Sequence, residues 1–145
     1  MDCYFGAVNR GTLPHALSQF AGIPLTSESK GTDARHSVLV TFVIPEVGIR
    51  FKAPFVGEDR YHSDLASLLA LLEFIDTNQK YVQHAHYMLH GTNLALISQL
   101  NGEEPAAPEF EPLLARAKDY FKKYRISLNW VPASQNQAIK FPELG

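Results

Sequence analysis

The chain has 145 residues, of which 46% are hydrophobic and 19% charged, and its formal net charge is −2. This composition predicts one globular domain over residues 1–145 and excludes a strongly basic nucleic-acid-binding protein, so any anion-binding surface has to be local. The single cysteine, Cys3, excludes an internal disulfide and is compatible with a cytoplasmic location. Because no apolar run approaches roughly 18 residues and no signal-peptide pattern opens the chain, we expect no membrane association.

Residues 1–36 carry the least distinct pattern. The opening "MDCYFGAV" could form a strand, "LPHALSQFAGI" a short helix with Pro14 in its first turn, and "TSESKGTDARHS" a polar loop. The next stretch, residues 37–55, predicts a β-hairpin, since β-branched and aromatic residues flank a turn at residues 45–48.

Two strong helix patterns and two strands follow. In "SDLASLLALLEFIDTN" the leucines recur at helical spacing, Ser63 is a candidate N-cap, and Asp64 would then lie in the first turn. "YVQHAHYMLHGTN" predicts a strand and "NLALISQLNG" a helix that ends at Gly102. "FEPLLARAKDYFKKYR" predicts an amphipathic helix and "ISLNWV" a strand. The terminal "SQNQAIKFPELG" predicts a turn or helix that Pro142 stops.

This order of elements predicts an α/β fold, with a mixed sheet flanked by helices. Four of its stretches, taken together, resemble the ribonuclease H-like family over roughly residues 37–140. They are "SDLASLLALLEFI", "HGTNLALISQLNG", "FEPLLARAKDYFKKYRISLNWVP" and "VPASQNQAIK". The resemblance implies a five-stranded sheet with an antiparallel hairpin and parallel strands. It also implies a function in which converging carboxylates hold two Mg²⁺ ions that cut nucleic acid.

The carboxylates that the family pattern requires are mostly replaced. Asp64 matches the acid of the first long helix, but Thr92 stands at the acid that follows the fourth strand, with Asn93 after it. Lys140, four residues after Asn136, stands at the acid of the last helix, and Ala133 replaces the arginine of that motif. The first-strand acid has two alternatives, a position near Thr26 or Asp2 in "MDCYFGAV".

The resemblance therefore implies the fold without the usual donor set for two metal ions. One carboxylate and a threonine hydroxyl supply little negative charge, and the Lys140 ammonium would repel a cation or occupy its place. We expect no cofactor, and Mg²⁺ or Mn²⁺ only if the site is rearranged.

Histidines offer other chemistry. If His84, His86 and His90 share one strand, period two puts them on one face, where a His-x-His pair can bind Zn²⁺. The simpler interpretation has two exposed histidines and a partly buried, hydrogen-bonded His90. Likewise, His62 could form an acid/base pair with Asp64, although a loop histidine beside a helix start is the simpler interpretation.

A basic concentration marks the fourth-helix region, where it could follow a phosphate backbone or be only a solvated helix face. Its members are Arg116, Lys118, Lys122, Lys123 and Arg125. Asn136 is a further candidate contact for nucleic acid. We expect Trp130 to belong to the core.

Three functional hypotheses remain at the sequence level. The first is a divergent ribonuclease H-like module that binds RNA, an RNA–DNA hybrid or a protein without the two-metal nuclease chemistry. The second is an active metal-dependent nuclease in which Asp2 or Asp33, Asp64 and a histidine are the ligands. The third is a protein-interaction or oligomerisation domain with no nucleic-acid role, of unknown oligomeric state.

Overall fold

Five strands form one sheet in the order β3-β2-β1-β4-β5. In this computed structural model the described residues are 1–9, 36–105 and 107–144. β2 pairs antiparallel with β1 and β3, whereas β4 pairs parallel with β1 and β5. The predicted mixed sheet is therefore confirmed, and "MDCYFGAV" is its central strand. The strands are β1 Asp2–Asn9, β2 His36–Ile44, β3 Ile49–Gly57, β4 Tyr87–Gly91 and β5 Ile126–Trp130.

The helices pack on both faces of this sheet. They are α1 Arg60–Thr77, α2 Gln79–Val82, α3 Leu94–Leu100, α4 Glu111–Lys123 and α5 Gln137–Leu144, with 3-10 turns at Pro45–Val47, Pro108–Phe110 and Ala133–Gln135. None of the helices in the described ranges is both long and apolar enough to cross a membrane. The helix and the loop predicted within residues 10–35 lie outside the described residues.

The main core lies between the sheet and the pair α1 and α4. Phe5 of β1, Phe42 of β2 and Leu89 of β4 are buried there against leucines of α1. α5 contacts β1 and β2, and its Ile139 approaches Gly6, which alternates with Phe5 and faces away from α1. The sheet thus separates a thick apolar layer from a thinner layer that α5 provides.

The start of α1 differs from the prediction. The helix begins at Arg60, and its N-cap is Asp59, whose carboxylate accepts a hydrogen bond from the His62 N–H at 2.8 Å. Ser63 is a buried helix residue that donates to the Asp59 carbonyl. The predicted Ser63 cap was wrong because the apolar periodicity begins only at Leu65, six residues and more than one turn after the capping Asp59.

The fourth strand is shorter than predicted. Residues 79–82 form the short helix α2, and β4 starts at Tyr87. The Tyr87 hydroxyl donates to the Val82 carbonyl and accepts from the His84 N–H, so this buried side chain fixes the bend before the strand. His84 and His86 therefore precede β4, and the predicted row of three histidines along one strand does not form.

Pro142 does not end the last helix, contrary to the prediction, since α5 continues to Leu144. A proline inside a helix leaves the carbonyl four residues earlier without its N–H donor. Here that carbonyl belongs to Ala138, and the buried Thr41 hydroxyl lies 2.7 Å from it. The same hydroxyl lies 3.0 Å from the Gly6 carbonyl. A side chain of β2 thus satisfies the acceptor that the proline leaves open.

We predict that Thr41→Val lowers the free energy of unfolding by about 1–3 kcal/mol, because it leaves the Ala138 carbonyl buried without a donor. Pro142→Ala restores a backbone N–H to that carbonyl, so the cost of Thr41→Val should be smaller in this background. Denaturant unfolding of the four proteins measures the coupling, with Thr41→Ser as the variant that keeps the hydroxyl. Equal costs in both backgrounds would contradict this account.

Candidate functional site

A pocket of about 330 Å³ opens beyond the carboxyl end of β4. β1 and β4 are adjacent parallel strands in the middle of the sheet. β2 lies on the other side of β1, and β5 lies on the other side of β4. Such a switch point in an α/β sheet leaves a crevice in which ligands bind. The described lining residues come from α1, from the turn after β4 and from the chain around α5. They are Arg60, Asp64, Thr92, Asn93, Leu94, Ala133 and Ile139.

Asp64 is the one carboxylate among the described lining residues, and it is 7% exposed. Its Oδ2 accepts a hydrogen bond from Asn93 Nδ2 at 2.9 Å and lies 3.8 Å from Arg60 Nε. The Ala7 N–H of β1 also donates to this carboxylate. Burial raises the pKa of Asp64, and the hydrogen bonds from Asn93 and Ala7 and the charge of Arg60 only partly oppose that effect. The carboxylate therefore links α1 to β1 and to the start of α3.

Thr92 forms the opposite wall, and the buried Asn136 contacts it. The fully buried Asn136 carboxamide uses Nδ2 to reach both Thr92 Oγ1 and the Phe5 carbonyl at 3.0 Å. Its oxygen accepts from the Ala138 N–H in the first turn of α5. Asn136 thus contacts this wall from behind rather than lining the pocket, and it joins β1, the turn after β4 and α5.

The β1 residue beside this wall is Gly6. A Cβ atom built there would lie 3.0 Å from Ile139 Cγ1 and 3.6 Å from Asn136 Nδ2. Of the two alternatives for the first-strand acid, Thr26 lies outside the described residues, as does Asp33. Asp2 lies four residues before Gly6, about 13 Å along the strand, where it pairs in register with Met88. Asp2 and Asp64 are therefore not brought together.

Every oxygen-bearing side chain among the described lining residues already accepts a hydrogen bond from a protein N–H. Asp64 accepts from Ala7 and Asn93 and forms an ion pair with Arg60, and Thr92 accepts from Asn136. Asn93, the N-cap of α3, accepts from the Leu96 N–H at 3.1 Å. Within residues 1–9, 36–105 and 107–144, no three histidine, cysteine or acidic side chains cluster as metal ligands would.

The predicted histidine sites take other arrangements. His90 Nε2 donates to Asp2 at 3.0 Å, and its Nδ1 lies 3.1 Å from Asn129 Nδ2. The hydrogen bond from His90 lowers the pKa of Asp2. The His62 ring nitrogen Nδ1 accepts from the Glu58 N–H at 3.1 Å, whereas Asp64 bonds to Asn93. The two members of the predicted acid/base pair therefore have different partners.

The basic residues of α4 lie away from the pocket. Lys123 pairs with Asp76 at 2.6 Å, and Asp76 is twelve residues, or about 18 Å of helix, beyond Asp64 on α1. The Arg116 guanidinium of α4 lies 3.8 Å from the Glu73 carboxylate, which belongs to α1. Lys118 lines a second pocket of about 400 Å³ beside Glu104 and Glu111. Lys122 is exposed, and acidic partners thus reduce the positive charge of this surface.

Two residues of the last motif lie close to the pocket mouth. Ala133 lines it, and Lys140 is an exposed residue of α5 next to the lining residue Ile139. Lys140 is not itself a lining residue. The structure therefore puts the small side chain of Ala133 at the pocket and a cation on the residue that follows Ile139.

Trp130 is not a core residue, contrary to the prediction, because 44% of its surface is exposed. It is the last residue of β5, and its indole N–H donates to the Thr92 carbonyl at 2.8 Å. The prediction that Trp130 belongs to a strand is confirmed, but the sequence pattern gave no indication that the strand ends there. Sequence reasoning also missed Arg60 and Gly6 as site residues, since neither has a motif of its own.

The architecture is similar to that of solved ribonuclease H structures. RNase H1 from the halophilic archaeon Halobacterium salinarum NRC-1 superposes with a TM-score of 0.65 at 16% identity, over 95% of this chain and 89% of that chain. The N-terminal RNase H domain of rv2228c from Mycobacterium tuberculosis gives 0.64 at 13% identity, over 93% and 85%.

LC11-RNase H1 in complex with an RNA/DNA hybrid gives a TM-score of 0.65 at 11% identity, over 94% of this chain and 88% of that chain. No protein-family model and no curated protein matches the sequence. The predicted ribonuclease H-like fold is therefore confirmed by structure.

We predict a specific pH dependence for Asp64. Because its pKa in the folded protein is raised above the ordinary 3.8, Asp64 stabilises the fold most when protonated, and this contribution decreases as pH rises through the two pKa values. The unfolding free energy of the wild type minus that of Asp64→Ala should therefore decrease as the pH rises above about 4. This starting point is the ordinary pKa of a carboxyl group. The lowered pKa of Asp2 gives the opposite pH dependence. Asp2 is present in both proteins, so its contribution cancels in the difference. A difference that grows with pH would contradict the prediction.

Proposed function

We propose that this chain, which has a ribonuclease H-like fold, binds nucleic acid at the Asp64 pocket and lacks the two-metal nuclease chemistry. The observation that carries this proposal is the donor set of the pocket. It combines one buried carboxylate with amide and hydroxyl groups that already hold hydrogen bonds. The proposed ligand is RNA or an RNA–DNA hybrid, the latter because LC11-RNase H1 is recorded in complex with one.

The chemistry of these donors does not fit a pair of Mg²⁺ ions. Two hard divalent cations require several oxygen ligands, mainly carboxylates, that are free to coordinate. Here the Asp64 carboxylate accepts from the Ala7 and Asn93 N–H groups and forms an ion pair with Arg60. The Asn136 amide points its nitrogen, a hydrogen-bond donor, at Thr92. Protein N–H groups thus supply the positive partial charge that metal ions would otherwise supply.

The charge around the pocket supports an anionic ligand. Asp64 is buried beneath the pocket surface, while about half of the Arg60 side chain is exposed at its edge. Lys140 follows the lining residue Ile139 and is exposed. A phosphate at the mouth would therefore face the Arg60 guanidinium, with Lys140 on the residue after Ile139, and no exposed carboxylate among the described lining residues, although the overall net charge is −2.

Two alternatives differ in the activity that they predict. A rearranged nuclease site would use Mg²⁺ or Mn²⁺ with ligands partly in residues 10–35. A protein-interaction domain would bind neither duplex nor single strand.

The proposed place of action is the cytoplasm, which is supported by the free, buried Cys3, since a chain with one cysteine needs no oxidising compartment.

We predict that the chain binds an RNA–DNA hybrid at low salt and that Lys140→Ala weakens this binding more than Lys122→Ala does. Both are exposed helix lysines, but Lys140 adjoins the pocket, whereas Lys122 lies on the far part of α4. Removing a phosphate contact reduces the salt dependence of the affinity by about one ion. Titrations at several salt concentrations measure both effects. Equal losses for the two variants would place the interface elsewhere.

The same hybrid, incubated with Mg²⁺ or Mn²⁺, tests the absence of nuclease chemistry. We expect no metal-dependent cleavage. Cleavage that appears with metal and disappears in Asp64→Ala would refute the proposal and support the rearranged nuclease. Failure to bind any duplex or single strand at low salt would support the interaction domain instead.

A further inference from the structure

Trp130 presents an exposed aromatic surface in a fixed orientation. The indole N–H donates to the Thr92 carbonyl at 2.8 Å, so the ring is held against the turn that follows β4. The adjoining backbone is held as well, since the Val131 N–H donates to the Gly91 carbonyl at 2.8 Å. Nevertheless 44% of the Trp130 surface remains exposed. A large aromatic side chain that is both anchored and exposed is ready to contact a ligand without first losing rotamer freedom.

This aromatic surface adjoins the Asp64 pocket. Thr92, which accepts the indole hydrogen bond, lines the pocket, and so does Leu94 two residues later. Leu94 is 60% exposed. An apolar edge formed by Trp130 and Leu94 therefore lies beside the mouth, which also has Arg60 on its border. The ligand that fits must combine a flat apolar group with negative charge.

We propose that this edge binds an unpaired nucleobase, which stacks on Trp130 while its phosphates face Arg60 and Lys140. The site is thereby assigned to a single-stranded segment of nucleic acid. This inference rests on the proposed function, whose ligand class it specifies. In a duplex the faces of the bases are covered by their neighbours, so a base has to be unstacked before an aromatic side chain can stack on it.

The charges distinguish this ligand from an apolar peptide. A peptide that binds through aliphatic or aromatic side chains needs no cation at the edge of its site. Arg60 and Lys140, by contrast, suit the phosphate that accompanies every base. Stacking accepts any base because each has a π face, so binding through Trp130 alone is expected to show weak sequence preference.

Fluorescence provides a direct test because Trp130 is the only tryptophan in the chain. The full chain is titrated with a single-stranded RNA oligonucleotide, and the indole emission and the anisotropy of the labelled RNA are both followed. We expect quenching that saturates together with RNA binding. Trp130→Ala should weaken binding by about tenfold, the size typical for loss of one stacked base.

Two matched variants separate stacking from structural damage. Trp130→Phe loses the indole N–H but keeps an aromatic ring, so it should retain most of the affinity. Tyr81→Ala removes an aromatic side chain that is 70% exposed on α2, before the amino end of β4, and should leave the affinity unchanged. Thermal unfolding of each variant checks that the fold persists.

The outcomes distinguish this inference from the proposed function. If the unchanged chain binds RNA without a change in indole emission, and Trp130→Ala binds RNA with the same affinity, the inference is overturned. The proposed function then still stands. Tighter binding of a hybrid duplex than of single strands, with no quenching, overturns the inference as well. If no nucleic acid binds at low salt, both fail. Quenching by aromatic or proline-rich peptides, together with no binding of any nucleic acid, would also overturn both, in favour of a protein partner.

Discussion

The buried carboxamide of Asn136 is the interaction on which the arrangement of the site depends. It donates to the Phe5 carbonyl and to Thr92, and it accepts from the Ala138 N–H. One side chain with no exposed surface thereby fixes α5 against the central strand and against the turn after β4. A buried amide left without partners is costly, so these contacts stabilise one orientation of α5 rather than a range of them.

Around this amide, protein N–H groups face the carboxylate at the pocket. Carboxylates that converge repel each other and need metal ions between them. Here Asp64 is the one carboxylate among the described lining residues, and Asn93, Arg60 and the Ala7 N–H compensate its charge. Gly6 leaves no side chain at the neighbouring position of β1, and Ile139 occupies the adjoining space. The pocket lies at the crevice of the fold, and the described groups that line it are held by hydrogen bonds to one another and to the backbone.

The sequence predicted the sheet, the order of its elements and the identity of Asp64 and Thr92 as neighbours of one site, because hydrophobic periodicity and motif order extend over many residues. It could not predict contacts between distant parts of the chain. Nothing local shows that Thr41 would satisfy the Ala138 carbonyl, which lets α5 continue through Pro142. Similarly, Tyr87 fixes the bend that excludes His84 from β4, and the exposure of Trp130 follows from where β5 ends.

The central claim is that protein N–H groups occupy the positions where metal ions would bind. Paramagnetic Mn²⁺ tests it directly, since it broadens NMR signals of nuclei close to a bound ion. We expect the side-chain NH₂ signals of Asn93 and Asn136 and the backbone N–H of Ala7 to broaden no more than those of exposed residues far from the pocket. Selective broadening of these three signals, lost in Asp64→Ala, would show a metal site at the pocket and contradict the account.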